Sequence, residues 1–330
     1  MKLLYITDTH FRYYAPRSRT DAFFDTLINK MQEIGDIIKR ENVTALLHGG
    51  DLFDRPDAQI AVAGKFASIF MNYGIPIYII SGNHDSFGQN PNTIDRSMLG
   101  LFSSIGVVHL LDNKSVLLKE DDLHVEIHGT PFRFDLDRDP KNYFYERDPK
   151  ADYSIQLVHG FLLDRPFIKG IHFTLVSDIE DTDADLVLAG HYHSGYPTCV
   201  RKGTTFINPG SLVRMTNTKT ERERTPKAIL IELTKEEDIV KHHITEIPLQ
   251  SAKPGKDVMV DKESINYERK NQAIRSFEEM LVKDPISSDG DLMHALNTMA
   301  KKIDLPLDLL AEAHERLDRA KKAVLNDNEI

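Results

Sequence analysis

The sequence predicts an α/β protein in which two sheets pack face to face with helices outside them. Three observations lead there. Short apolar runs rich in β-branched residues recur through the first 249 residues, as buried strands do. Helical stretches separate the first three of these runs, a βαβαβ opening, and from about residue 105 strands dominate.

In order, the strand runs are 3–7, 43–47, 76–81, 107–111, 125–128, 154–158, 186–189, 204–207 and 228–233. Between the first two lies a helix over 21–40, whose apolar residues Phe24, Leu27, Ile28, Met31, Ile34 and Ile38 repeat at helical spacing. A second helix spans 58–73 and stops at Gly74. After Leu249 the texture changes. Residues 250–261 carry Ser, Pro, Gly and Lys and read as a linker or edge, followed by helices near 264–283, 291–303 and 306–325. The last has Pro306 in its first turn and a narrow stripe of Leu310, Ala313, Leu317, Ala320 and Val324. That stripe suits either docking on the chain's own body or a partner helix. The expected organisation is one domain over 1–249 and a helical extension over 250–330.

Composition narrows the class. With 41 Lys and Arg against 51 Asp and Glu, the formal net charge is −10, which excludes a protein that coats nucleic acid by bulk charge. At 41% hydrophobic residues the chain can fill a core, so disorder throughout is excluded. One cysteine, Cys199, allows neither an internal disulfide nor a thiolate zinc cluster. Any metal must use nitrogen and oxygen ligands. The opening apolar run is broken at Asp8 before a signal-peptide core or membrane span forms, so a cytoplasmic protein without membrane attachment is expected.

The chemistry gathers at strand ends. Asp8-Thr9-His10, Gly49-Gly50-Asp51, Gly82-Asn83-His84-Asp85, His159-Gly160 and Gly190-His191-Tyr192-His193 each follow a predicted strand, where ligands collect in open α/β sheets. Residues two apart along a strand share a face, so Asp8 with His10, and His191 with His193, can share a target. The set of Asp8, His10, Asp51, Asn83, His159, His191 and His193 exceeds one tetrahedral site but suits two metals if a carboxylate bridges, and Asp51 is the expected bridge. Two divalent ions of that kind hydrolyse phosphate esters. His84 is left over from both ligand shells and is placed to protonate the leaving oxygen or stabilise its charge. Asp85 would orient that imidazole.

These residues resemble the motif series of the calcineurin-like metallophosphoesterases, D-x-H, G-D, G-N-H-D/E, H and G-H-x-H, which appears here in order between residues 8 and 193. The resemblance implies a four-layer αββα sandwich. It also implies a first metal on Asp8, His10, Asp51 and His193 and a second on Asp51, Asn83, His159 and His191. Gly50-Asp51-Leu52-Phe53-Asp54 followed by Arg55-Pro56, the extended third motif to Ser86 and the helical tail further resemble the SbcD-type DNA repair nucleases, including short bacteriophage forms. Eukaryotic and archaeal members carry a His where this chain has Asp54, as bacterial relatives do. The SbcD resemblance implies manganese as the usual metal, with magnesium, iron or zinc as alternatives. It also implies a DNA substrate, an SMC-like coiled-coil ATPase of SbcC type bound through the C-terminal region, and a homodimer. Against it, Asn208-Pro209-Gly210-Ser211 resembles the loop of small single-domain phosphodiesterases acting on small esters or nucleotides.

A nuclease also needs side chains that follow a phosphate backbone. Arg12, Arg55 and Arg214 are the chief candidates, with Arg17, Arg19, Arg96, Lys219, Arg222 and Arg224 near the same loops. Phe11, Tyr13 and Tyr14 could stack on frayed bases. The alternating acids Asp135, Asp137 and Asp139 read as a solvated loop, and the remaining histidines, His48 among them, as structural or exposed.

Overall fold

The computed structural model describes residues 1–168 and 170–260, and in the tail positions 297, 300, 310, 311 and 313–315, all helical. The chain divides into two compact units, Met1–Val260 and Asp261–Ile330. The predicted tail helices otherwise lie outside the described residues. In the first unit the chain forms β1 (Lys2–Ile6), α1 (Phe23–Glu41), β2 (Ala45–His48), α2 (Ile60–Met71), β3 (Ile77–Ile79), α3 (Met98–Ser104) and β4 (His109–Leu110). There follow β5 (Ser115–Glu120), β6 (Leu123–Thr130), β7 (Tyr153–Val158), β8 (Leu162–Leu163), β9 (Thr174–Leu175) and β10 (Leu186–Ala189). The unit ends with β11 (Tyr196–Arg201), β12 (Thr204–Asn208), α4 (Lys219–Glu223), β13 (Lys227–Glu236), β14 (Ile239–Pro248) and α5 (Gly255–Val258).

Two six-stranded sheets result, ordered β14-β13-β1-β2-β3-β4 and β11-β12-β10-β7-β6-β5. The central strands of each run parallel, and antiparallel strands close the edges at β13, β14, β11 and β5. Alternation along β1 explains the layering. Leu3 and Tyr5 enter the core between the sheets with Ile155, Leu157, Leu186 and Leu188, whereas Leu4 and Ile6 face Phe23, Leu27, Met31 and Phe66 of the helical layer. A third core on the outer face of the second sheet joins Val187, Ala189 and Phe206 to Leu136, Tyr143 and Val176. This outer layer is made of short 3₁₀ turns. The expected sandwich is present.

α1 forms because its apolar positions fall on one face, and it ends where Asn42 turns into the left-handed region and donates its N–H to Ile38 and Lys39. Besides the two-residue pair β8 and β9, three strands of the large sheets escaped the sequence reading: β5, β11 and β14. All are edge strands with at least one exposed face, so none shows the continuous apolar run that marks a central parallel strand. Residues 250–260 pack on the first unit: Gln250 and Ser251 donate to Glu33, and Val258 and Met259 are buried. No helix among the described residues is long and apolar enough to cross a membrane.

Candidate metal centre

Every predicted ligand lies just beyond the C-terminal end of a central parallel strand: Asp8 and His10 after β1, Asp51 after β2, Asn83 after β3, His159 after β7, and His191 and His193 after β10. Because these strands are neighbours in their sheets, their loops open toward one another. Asp8 and His10 do converge on one donor group, but not by strand alternation, whereas His191 and His193 reach different groups, contrary to expectation. Asp8, His10, Asp51 and His191 all adopt left-handed φ angles, 53°, 43°, 52° and 73°, uncommon for residues with a Cβ and typical of strained functional turns. The backbone has left the sheet before the first ligand.

The donor atoms form two groups that share one residue. Atoms of Asp8, His10, Asp51 and His193 lie within 4.8 Å of one another, as do those of Asp51, His159 and His191. His10 Nε2 is 3.6 Å from Asp51 Oδ2 and 3.0 Å from His193 Nε2, and His193 Nε2 is 3.5 Å from Asp8 Oδ1. On the other side His159 Nε2 is 3.5 Å from Asp51 Oδ2, and Asn83 Oδ1 is 3.3 Å from His159 Nε2 and 2.9 Å from His191 Nδ1. Ligands about 2.1 Å from a shared tetrahedral ion sit about 3.4 Å apart, so these spacings fit the role. The donor set, imidazole with carboxylate and amide oxygen, fits a transition-metal divalent ion.

The supporting shell fixes each donor. His159 donates Nδ1–H to the Gly49 carbonyl at 2.7 Å, leaving Nε2 free toward the site. Thr7 donates to Asp8 Oδ2 at 2.7 Å, and the His191 amide also reaches that carboxylate. The His84 amide holds Asp51 Oδ1 at 2.8 Å. Glycine is required in two places. A Cβ on Gly82 would stand 2.0 Å from Asp51 Oδ1, and one on Gly50, at φ 99°, would stand 2.4 Å from His159 Nδ1.

For His10 and His191 the electrostatics agree with a ligand role. Burial pushes the imidazoles of His10 and His191 down, to about 3 and about 4, so both rings are neutral, the state a metal requires. Burial also pulls His159 down, but the Asp51 and Asp8 carboxylates reverse this and raise it to about 9. The Asp51 carboxyl is driven well below its usual range by His159 despite its own burial.

His84 stands beside the first group, its ring 4.8 Å from that of His10. It donates Nδ1–H to the Asp54 carbonyl at 2.8 Å, which leaves Nε2 as the second ring nitrogen. Asp85 does not orient this imidazole, contrary to expectation. Its carboxylate accepts from the amides of Gly82, Leu52 and Phe53 at 2.9, 3.3 and 3.2 Å, tying the third motif loop to the second. Burial and the neighbouring Asp51 charge raise its carboxyl to about 7.

Among the basic candidates, Arg214 is corrected. It is 2% exposed, and its guanidinium donates to the carbonyls of Arg224 and Lys253, so it cannot meet a phosphate at the surface. It belongs to a buried cationic group behind the loop after β12. Arg224 donates to the carbonyls of Ser211 and Val213 at 2.5 and 2.6 Å, and Lys30 to that of Leu212 at 2.6 Å. That loop in turn grips the first motif: Ser211 Oγ donates to the Asp8 carbonyl and the Leu212 amide to that of Thr7. Arg224 also pairs with the buried carboxylate of Glu221 at 2.5 Å. Arg224→Met should therefore cost about 3–5 kcal/mol in denaturant unfolding, because Glu221 loses its buried counter-charge. A loss below about 1 kcal/mol would contradict this account.

Arg12 remains near the site, paired with Asp54 at 2.8 Å, and the Arg55 side chain is 74% exposed. Phe11 is fully buried, stacked on Phe66 at 3.6 Å, and cannot stack on bases, whereas Tyr13 and Tyr14 are 52% and 67% exposed. The sequence reading left the supporting role of one residue unspecified and misread another. His48 accepts from the Gly50 amide through Nδ1 and bonds Thr9 Oγ1 through Nε2; its place directly before Gly-Gly-Asp was the available signal. Asp137, read as solvated, accepts from Tyr143, Thr174 and the Phe161 amide.

Residues 1–195 match the calcineurin-like phosphoesterase family. The chain is 29% identical over 201 residues to the DNA double-strand break repair protein Mre11 of Sulfolobus acidocaldarius, covering 59% of this chain and 50% of that protein. To the double-strand break repair protein MRE11 of Encephalitozoon cuniculi it is 28% identical over 293 residues, covering 77% and 48%. It is also 26% identical over 167 residues to the uncharacterized metallophosphoesterase YhaO of Bacillus subtilis, covering 48% and 38%. The chain thus spans about half the length of the two repair proteins or less of the third.

Proposed function

Since the chain belongs to the calcineurin-like phosphoesterase family, we propose that it is a two-metal phosphodiesterase acting on DNA, of the kind that works with an SMC-like ATPase in repair, recombination or DNA degradation. The observation that carries the reading is the sharing of Asp51 between two donor clusters, supported by the likeness to Mre11 proteins.

Asp8, His10, Asp51 and His193 would hold one ion, and Asp51, Asn83, His159 and His191 the other. Bound divalent ions, manganese in our reading, supply charge to the phosphate and a nucleophilic water near neutral pH. The chain's own groups do the rest. His84, with Nδ1 committed to the Asp54 carbonyl, presents Nε2 to donate a proton to the leaving oxygen or to stabilise its charge. Asp85 fixes the loop that bears it. Arg12 and Arg55 are the backbone contacts we retain. The C-terminal region would bind the ATPase, and two copies of the chain would assemble in the cytoplasm.

A second reading, a stand-alone phosphodiesterase for small esters, draws on the loop around Asn208-Pro209-Gly210-Ser211, whose Ser211 holds the first motif. Incubation with linear, hairpin and single-stranded DNA in manganese or magnesium, beside a small diester, separates the two. Cleavage of DNA is expected; turnover of the small diester alone would overturn the nuclease reading in favour of the second.

A further inference from the structure

We propose that Phe132, Phe161 and Tyr192 form a seat for an unpaired nucleobase of the strand being cut; this rests on the nuclease reading above. Phe132 and Phe161 border the second donor cluster, and Tyr192 packs beside Phe161. Phe161 meets His191 edge-on at 5.7 Å and Tyr192 at 5.6 Å, and Phe132 lies 5.7 Å from His191 and 6.4 Å from His159. All three are half-buried. Phe132 and Phe161 belong to none of the three apolar cores, and Tyr192 only borders one. Two large aromatic side chains therefore pack on metal-site histidines in place of the protein interior.

The seat is held rigidly. Asp137 accepts the Phe161 amide at 2.9 Å while its other oxygen takes the Tyr143 hydroxyl at 2.5 Å and Thr174 at 2.9 Å. Next to Phe161, Gly160 packs directly on Tyr143: a Cβ there would stand 2.3 Å from the Tyr143 hydroxyl oxygen. The Tyr192 carbonyl takes the Asn208 side-chain amide. A rigid ring set beside the position of the scissile phosphate suits stacking, which every base offers whatever its sequence. In a duplex both base faces are already covered, so the base that sits here must be unpaired or drawn out of the stack.

The test uses the manganese-loaded full chain and two single-stranded oligonucleotides of equal length, one intact and one with the bases removed around the cleavage point. The wild type should favour the intact strand in kcat/KM by roughly tenfold or more, the range of one base–aromatic stack. Phe161→Ala should bring that ratio near one, and Phe161→Tyr should restore it, which separates stacking from a folding defect. Binding gives a second readout: the wild type should quench a 2-aminopurine base in the strand, and Phe161→Ala should not. Equal cleavage of both strands by the wild type, or an unchanged ratio in Phe161→Ala, would overturn the seat while leaving the nuclease reading intact. Failure to cut either strand while a small diester is hydrolysed would remove both.

Discussion

Asp51→Ala should lose both metal ions and, with them, on the order of a thousandfold or more in turnover, several kcal/mol of transition-state stabilisation. The reason is geometric. Oδ2 of this one carboxylate faces His10 from one cluster and His159 from the other, at 3.6 and 3.5 Å. Its other oxygen holds the His84 amide. Removing it opens both donor sets at once and unties the third motif loop. Elemental analysis after dialysis against free metal reads the effect directly. Two ions retained per chain would break the assignment of Asp51 as the bridge.

His84→Ala should behave differently: both ions stay, and turnover falls by about 10²–10⁴, the range for loss of a positioned general acid. This imidazole takes no part in the donor cluster built on Asp51, His159 and His191, and its Nδ1 is committed to the Asp54 carbonyl. His84 Nε2 is the group left to act on substrate. His84 also neighbours His10 and Asp54 in a third set of potential ligand atoms, so metal content is the decisive measurement. If His84→Ala loses metal to the same degree as Asp51→Ala, His84 is a ligand and the division of roles fails.

The two variants probe features of different legibility. Asp51 could be picked from sequence because a carboxylate between two glycine-flanked imidazole and amide motifs is a natural bridge for seven ligands. That His84 stands outside the donor group of Asp51, His159 and His191 was also an expectation from sequence. Its orienting partner was not readable: Asp85 is adjacent in sequence, yet its carboxylate points to the amides of Leu52 and Phe53 more than 30 positions away. Arg214 was misplaced for a similar reason. Nothing near it in the chain announces that the carbonyls of Arg224 and Lys253 fold over it.

What the sequence determined alone was the kind of protein and the set of candidate ligands, since both depend on local properties. Apolar β-branched runs choose strands, helical spacing chooses α1 and α2, and donor type with flanking glycine marks the strand-end loops. Tertiary structure decided how those loops turn, which cations are buried, and which aromatic rings border the site. Left-handed φ at four ligands, the capture of the Ser211–Val213 carbonyls by Arg224 and Lys30, and the packing of Phe161 against His191 each need segments that meet only after the two sheets close. Burial and partner choice belong to that closure, because a side chain's neighbours are set by the whole fold and its chemistry by one residue.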